Sequence, residues 1–82
     1  MPLYFFDIIE DGRTNYDIHG ETLASLEEAS REAGYGAMII AQEGLTEGHS
    51  GTVEIQIKDQ NGTLLGRAQA SFSGAERGVP IH

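Results

Sequence analysis

Apolar residues along this chain recur with two different periods. From Leu3 to Glu10 the run Leu-Tyr-Phe-Phe-Asp-Ile-Ile-Glu is rich in aromatic and β-branched residues, which predicts a strand. It stops at Asp11-Gly12. Asp-Gly predicts a tight hairpin, because a type I′ turn needs positive φ at both central residues. A short, polar return strand is expected over Thr14–Ile18, at a sheet edge. The period then lengthens. Ser25 with Glu28 three residues on forms a capping box, and Leu26, Ala29, Ala33, Ala37 and Ile40 follow at helical spacing as an inner stripe. Glu27 and Arg31 stand at i,i+4 on the outer side, in the favourable order. Gly34 and Gly36 weaken the second half of this helix, which is expected to end near Glu43 with Gly44 as its C′ residue.

Gly44 to Gly51 reads as a flexible loop. Period two returns after it: Val53, Ile55 and Ile57 face one way, while Thr52, Glu54, Gln56 and Lys58 face the other. Asp59-Gln60-Asn61-Gly62 is a second turn, and Thr63–Phe72 a last strand with Leu64, Gly66, Ala68, Ala70 and Phe72 on one face. The pattern predicts an α+β fold of order β-β-α-β-β. Tight hairpins and one helical crossover give a four-stranded antiparallel sheet, order 2-1-3-4, with one helix packed on one face. Residues 1–72 form a single domain, and Ser73–His82 a loose tail.

The first strand is apolar on both sides. Tyr4, Phe6 and Ile8 suffice to pack under the helix, yet Leu3, Phe5 and Ile9 on the opposite side are apolar too. Two readings stand: long neighbours such as Lys58 and Arg67 cover them, or Leu3, Phe5, Ile9 and Leu65 form a self-association or partner surface.

Charge narrows the partners. Five basic and thirteen acidic residues leave the 82-residue chain at −8. Phosphate-rich partners need Lys and Arg, so nucleic acid and anionic membrane surfaces are not expected. The imbalance lies in residues 1–50, with ten acidic and two basic residues. Such a half is a solvated face or an attraction for a basic partner. The chain has no cysteine, hence no disulfide framework or thiolate site. No apolar run approaches a membrane span and the N-terminus lacks the pattern of a signal peptide, so a cytoplasmic protein is expected.

Catalytic templates fail on particular residues. Gly34-Tyr35-Gly36 lacks the third glycine of a dinucleotide fingerprint, where Ile39 stands, and the sole lysine, Lys58, follows no phosphate loop. Gly48-His49-Ser50-Gly51 departs from a nucleophile elbow at Thr52. Asp59-x-Asn61-Gly62 opens like a calcium loop, but Ala70 occupies the place of the bidentate glutamate. Asp17-Ile18-His19 and Glu47-Gly48-His49 have workable ligand spacing, yet they flank opposite ends of the helix. Asp7 is the one acidic residue inside an apolar run, and an ion-paired structural role is favoured for it over acid–base work. An enzyme using Asp7, His19 or His49 would need a pocket holding at least two of them. No enzyme, metal or cofactor is expected.

Met1-Pro2-x-Tyr4-Phe5-Phe6-Asp7, Asp11-Gly12, Asp17, Gly20-Glu21-x-Leu23, Leu26-Glu27-x-Ala29-x-x-Glu32-Ala33 and Ile55-x-Ile57-x-Asp59-x-x-Gly62 together resemble a bacterial domain of unknown function, common in rhizobia and related proteobacteria. That resemblance implies the order of elements and no activity. Gly20-Glu21-Thr22-Leu23 before Leu26-Glu27-Glu28-Ala29 is also similar to the N-terminal domain of HicB-like antitoxins, which neutralise a small basic toxin. The expected function is a non-enzymatic domain that self-associates, most simply as a homodimer. The alternative is an antitoxin-like regulator of a basic protein.

Overall fold

A computed structural model describes residues 1–74. Five strands and one helix follow in the order β1 (Leu3–Glu10), β2 (Arg13–Asn15), β3 (Glu21–Thr22), α1 (Leu26–Thr46), β4 (Gly51–Lys58) and β5 (Leu64–Phe72). The sheet runs β2-β1-β4-β5, wholly antiparallel, and β3 joins it by pairing with β1. The expected α+β architecture and its four-strand order are therefore present, with one strand more than the sequence suggested. Of the expected tail, residues 75–82 lie outside the described residues.

Both turns form where Asp-Gly and Asn-Gly predict them. Asp11 and Gly12 have φ of 48° and 85°, the two positive values of a type I′ turn, and close the Glu10–Arg13 pair. At the second turn only Gly62 has positive φ; Asp59 Oδ1 accepts the N–H groups of Asn61 and Thr63, both at 2.9 Å. A shift of register beyond Ile57 leaves Leu65 without an opposite residue, a bulge at the start of β5.

Two expectations need correction. The return strand covers Arg13–Asn15 rather than Thr14–Ile18, because residues 16–20 leave the ladder and the chain rejoins it as β3. The helix does not stop at Glu43 but runs through Thr46. Gly44 is helical and lies against the Phe72 ring, where any Cβ would collide, so its lack of a side chain serves close packing. The helix-ending glycine is Gly48, with φ of 79°. Its N–H donates to the Leu45 carbonyl and that of His49 to the Gly44 carbonyl, the paired bonds of a Schellman motif. At the other end the Ser25 hydroxyl accepts the Glu28 N–H at 3.2 Å, as expected of the cap.

The core lies between α1 and the sheet. Ala29, Ala33 and Ala37 are buried on the helix, against Val53, Ile55 and Ile57 of β4. Alanine lets the helix sit low while branched side chains from the sheet supply bulk, each contributing about 1.5–3 kcal/mol. Tyr4 and Leu23 close one end, and Phe6, Ile8, Ala68, Ala70 and Phe72 pack around the rim. Leu26, expected in the inner stripe, is instead exposed in the first turn. The helix rests on β4 and β5, not on β1. It thus stands toward the β5 side of the sheet.

Candidate functional site

Chemistry-bearing side chains gather where residues 16–20 cross β1. Between the pairs that β1 makes with β2 and β3, its edge is bridged by Asp17. Oδ2 of Asp17 accepts the Phe6 N–H at 3.1 Å, while Oδ1 accepts those of His19 and Gly20, both at 3.0 Å. One carboxylate thus replaces a missing strand and folds its own loop. Partial burial raises the pKa of Asp17, but the N–H groups of Gly20, Phe6 and His19 outweigh it and hold the carboxyl below its ordinary value.

Asp7 sits beneath this loop, 4% exposed on the face of the sheet away from the helix. Its Oδ1 accepts the Asp17 N–H at 3.0 Å and its Oδ2 meets Lys58 Nζ at 2.9 Å. The hydrogen bond to Asp7 raises the Lys58 pKa; burial opposes it, and the charges of Asp7 and Tyr16 add to it. The Tyr16 ring stands over Lys58 Nζ at 5.9 Å, a cation–π contact. A cleft of about 270 Å³ opens beside these groups, lined by Phe5, Asp7, Tyr16, Asp17, Lys58 and the second turn. Both oxygens of Asp7 are engaged, which matches the ion-paired role expected of it. His49 lines a separate cleft, of about 180 Å³, with Glu10, Asp11, Glu43 and Glu47. His19 lines neither, so the three acid–base candidates are not brought together. Nδ1 of His49 lies 3.4 Å from Glu47, and no group of three metal-ligating side chains occurs among the described residues.

Of the proposed surface residues, Leu3, Phe5 and Ile9 are half-buried and Leu65 is exposed. Gly20 lies on Leu3 and Phe5, so close that a Cβ there would come within 3.0 Å of both side chains and of the Tyr4 carbonyl. The chain's own backbone therefore covers half of the apolar outer side, a third solution beside the two the sequence left open. Asp7 separates Phe5 from Ile9, and Ile9 stands opposite Glu54. Leu65 lies in the bulge, exposed. Between them runs a polar band. Glu54 accepts from Gln56 and Gln69 at 2.7 Å and faces Arg67 at 3.8 Å. The two amides, with Arg67 adding its charge against the opposing effect of burial, hold the Glu54 carboxyl below its ordinary range.

Exposed apolar side chains lie where the sequence reading does not place them, at Tyr16 and Ile18 on either side of Asp17 and along α1. On α1, Tyr35 is 61% exposed, Met38 54% and Leu45 44%, with Ile39 beside them. Tyr35, Met38 and Leu45 lie on the side away from the sheet, with the polar Gln42 between Met38 and Leu45. Their spacing is legible in the sequence, but the glycines at 34 and 36 argue there for a weakened helix.

A helix on one face of a small antiparallel sheet, with a carboxylate-bridged loop on the other, defines a two-layer α+β domain. Residues 3–71 match the model of a domain of unknown function, DUF6894, and the chain belongs to that family. No curated protein and no solved structure matches it. The likeness to HicB-like antitoxins rests on the residues quoted for it alone. No helix among the described residues is long and apolar enough to cross a membrane.

Proposed function

We propose that the domain acts in the cytoplasm by association rather than by chemistry on a small substrate, pairing with a second copy of itself. The observation that carries this reading is the apolar exposure on the outward side of α1. Tyr35, Met38, Ile39 and Leu45 leave large side chains in water on one short stretch of a small domain. Contiguous apolar exposure marks surfaces that meet another protein, and Tyr35 and Met38, one helical turn apart, are the neighbouring pair here. Sedimentation equilibrium over a wide concentration range tests the reading. Twice the 8.9 kDa chain mass supports it; the single-chain mass at every concentration refutes it.

One observation favours a second reading, a basic protein as partner. The cleft beside His49 carries Glu10, Asp11, Glu43 and Glu47 in its lining and no Lys or Arg. A basic segment seated there would be bound by charge, and its affinity would fall steeply with salt. A complex recovered from cells at low salt and lost at high salt would put this reading first.

A further inference from the structure

The two edges of the sheet are finished differently. β1 is covered along its outer edge by β2, by β3 and by the Asp17 bridge. β5 is nine residues long, and among the described residues no strand pairs with its other edge. Charged side chains commonly blunt such an edge. Here the one charge on β5, Arg67, leans back over the sheet toward Glu54, as does Gln69.

Above that edge stands one flank of α1. Gly36 meets Ile55 of β4, while Gly44 meets Phe72 of β5. Ile40, Glu43 and Glu47 share a cleft with Glu10 and Asp11 and, at its other side, with Gly44 and Phe72. At 100° per residue, the flank toward the β5 edge therefore carries Ser30, Gly34, Ala41 and Leu45, with Met38 above them. Nothing lies within 4 Å of a Cβ built at Gly34. Glu28, Glu32 and Glu43 turn the other way. Glu27 lies on the flank, in line with Leu45 five turns on, and Arg31 borders it beside Met38. Among the described residues this flank carries one acidic and one neighbouring basic side chain, Glu27 and Arg31, so in a chain of net charge −8 a like-charged copy meets little repulsion here.

We infer that the self-association proposed above uses this edge and flank: β5 pairs antiparallel with β5 of a second copy across a two-fold axis, and the two α1 helices pack side by side on the joined sheet. The spacings agree independently. Because α1 rests on β4 and β5, the two helices would be separated by two strand spacings, about 9.6 Å at ~4.8 Å per strand. Helices pack at about 8–10 Å, so edge pairing and helix packing are satisfied together. Small residues at positions 30, 34 and 41 give the room, while Leu45 and Met38 supply apolar contact. The inference rests on the self-association reading; it takes Leu45 and Met38 of the exposed helix residues into the contact and leaves Tyr35 and Ile39 outside it.

Gly34→Arg tests the flank at a site open to a larger side chain, and Leu45→Glu tests it with the opposite charge. Each variant should keep the native circular dichroism and weaken dimerisation at least ~10-fold, about 1.4 kcal/mol. Phe5→Glu, on the sheet's other face, should leave the dimer intact. Should both helix variants remain dimeric while Phe5→Glu becomes monomeric, the interface is the outer face of β1; the inference fails and self-association survives. A wild type that is monomeric throughout overturns both. A second measurement does not depend on those variants: Gln69→Cys, the only thiol in the chain, should oxidise to a linked dimer, whereas Thr14→Cys on β2 should not. The reverse pattern overturns the inference.

Discussion

Replacing Asp17 with alanine should cost more than its position in a surface loop suggests. The substitution strips the acceptor from three N–H groups at once. The Phe6 N–H lies in the gap between β2 and β3, and orphaning it costs about 1–3 kcal/mol. The partly buried Gly20 N–H adds about 0.5–1.5 kcal/mol, whereas the exposed His19 N–H turns to water at little cost. The sum is about 1.5–4.5 kcal/mol, against a total of roughly 4–12 kcal/mol for a domain of this size. Urea unfolding followed by circular dichroism should show the midpoint fall by about 1–3 M, with m unchanged. Asp17→Asn keeps one acceptor and should fall between. Acid supplies a second readout. A carboxyl whose folded pKa is depressed contributes stability above its unfolded value, near ~3.9, and loses it as pH falls through the folded value. The gap between wild type and Asp17→Ala should therefore be full at neutral pH and close progressively below about pH 4. A midpoint shift under about 0.3 M at neutral pH would refute the reasoning, since the bridge would then hold nothing that water does not.

Two further outcomes follow from the packing and the charges. Gly44→Ala places a methyl against the Phe72 ring and should lower stability by about 1–3 kcal/mol, despite alanine's higher helix propensity. Gly34→Ala, in open space on the same helix, should raise it by about 0.5–1 kcal/mol, and thermal denaturation that ranks the two variants the other way would contradict the packing described. At the alkaline end Lys58 governs: its folded pKa is raised, so the contribution of its pair with Asp7 is full below about pH 10 and is lost as pH rises through the folded value. Lys58→Met should abolish that alkaline loss while lowering stability at neutral pH, and an unchanged alkaline profile would remove the pair from the account.

Much of this architecture was legible from local pattern. The aromatic and β-branched run Leu3–Glu10, the period-two run Thr52–Lys58 and the turns at Asp11-Gly12 and Asn61-Gly62 are set by neighbours in sequence, so the strand order followed from them. That order already placed the last strand at an edge. What escaped depends on contacts far along the chain. Gly44 has the look of a helix terminator, and only its meeting with Phe72, nearly thirty residues on, reveals a packing glycine. β3 is two residues long, too short to show a period. Asp17 followed by Gly20 carried a turn signal, Asp with a glycine three residues later, but its reach to Phe6 exists only once β1 and the loop are folded together. The cover over Leu3 and Phe5 is backbone at Gly20, which a search for covering side chains does not find.

The β5 edge itself offers the most direct measurement. Residue-resolved amide hydrogen exchange along Gly66–Phe72, in wild type and in Gly34→Arg, reports whether that edge is paired. The account predicts slow exchange at the outward-facing amides of the wild-type dimer and fast exchange at the same amides in the variant, with the remaining amides alike. Fast exchange at those amides in both proteins, with the wild type still a dimer, would contradict it.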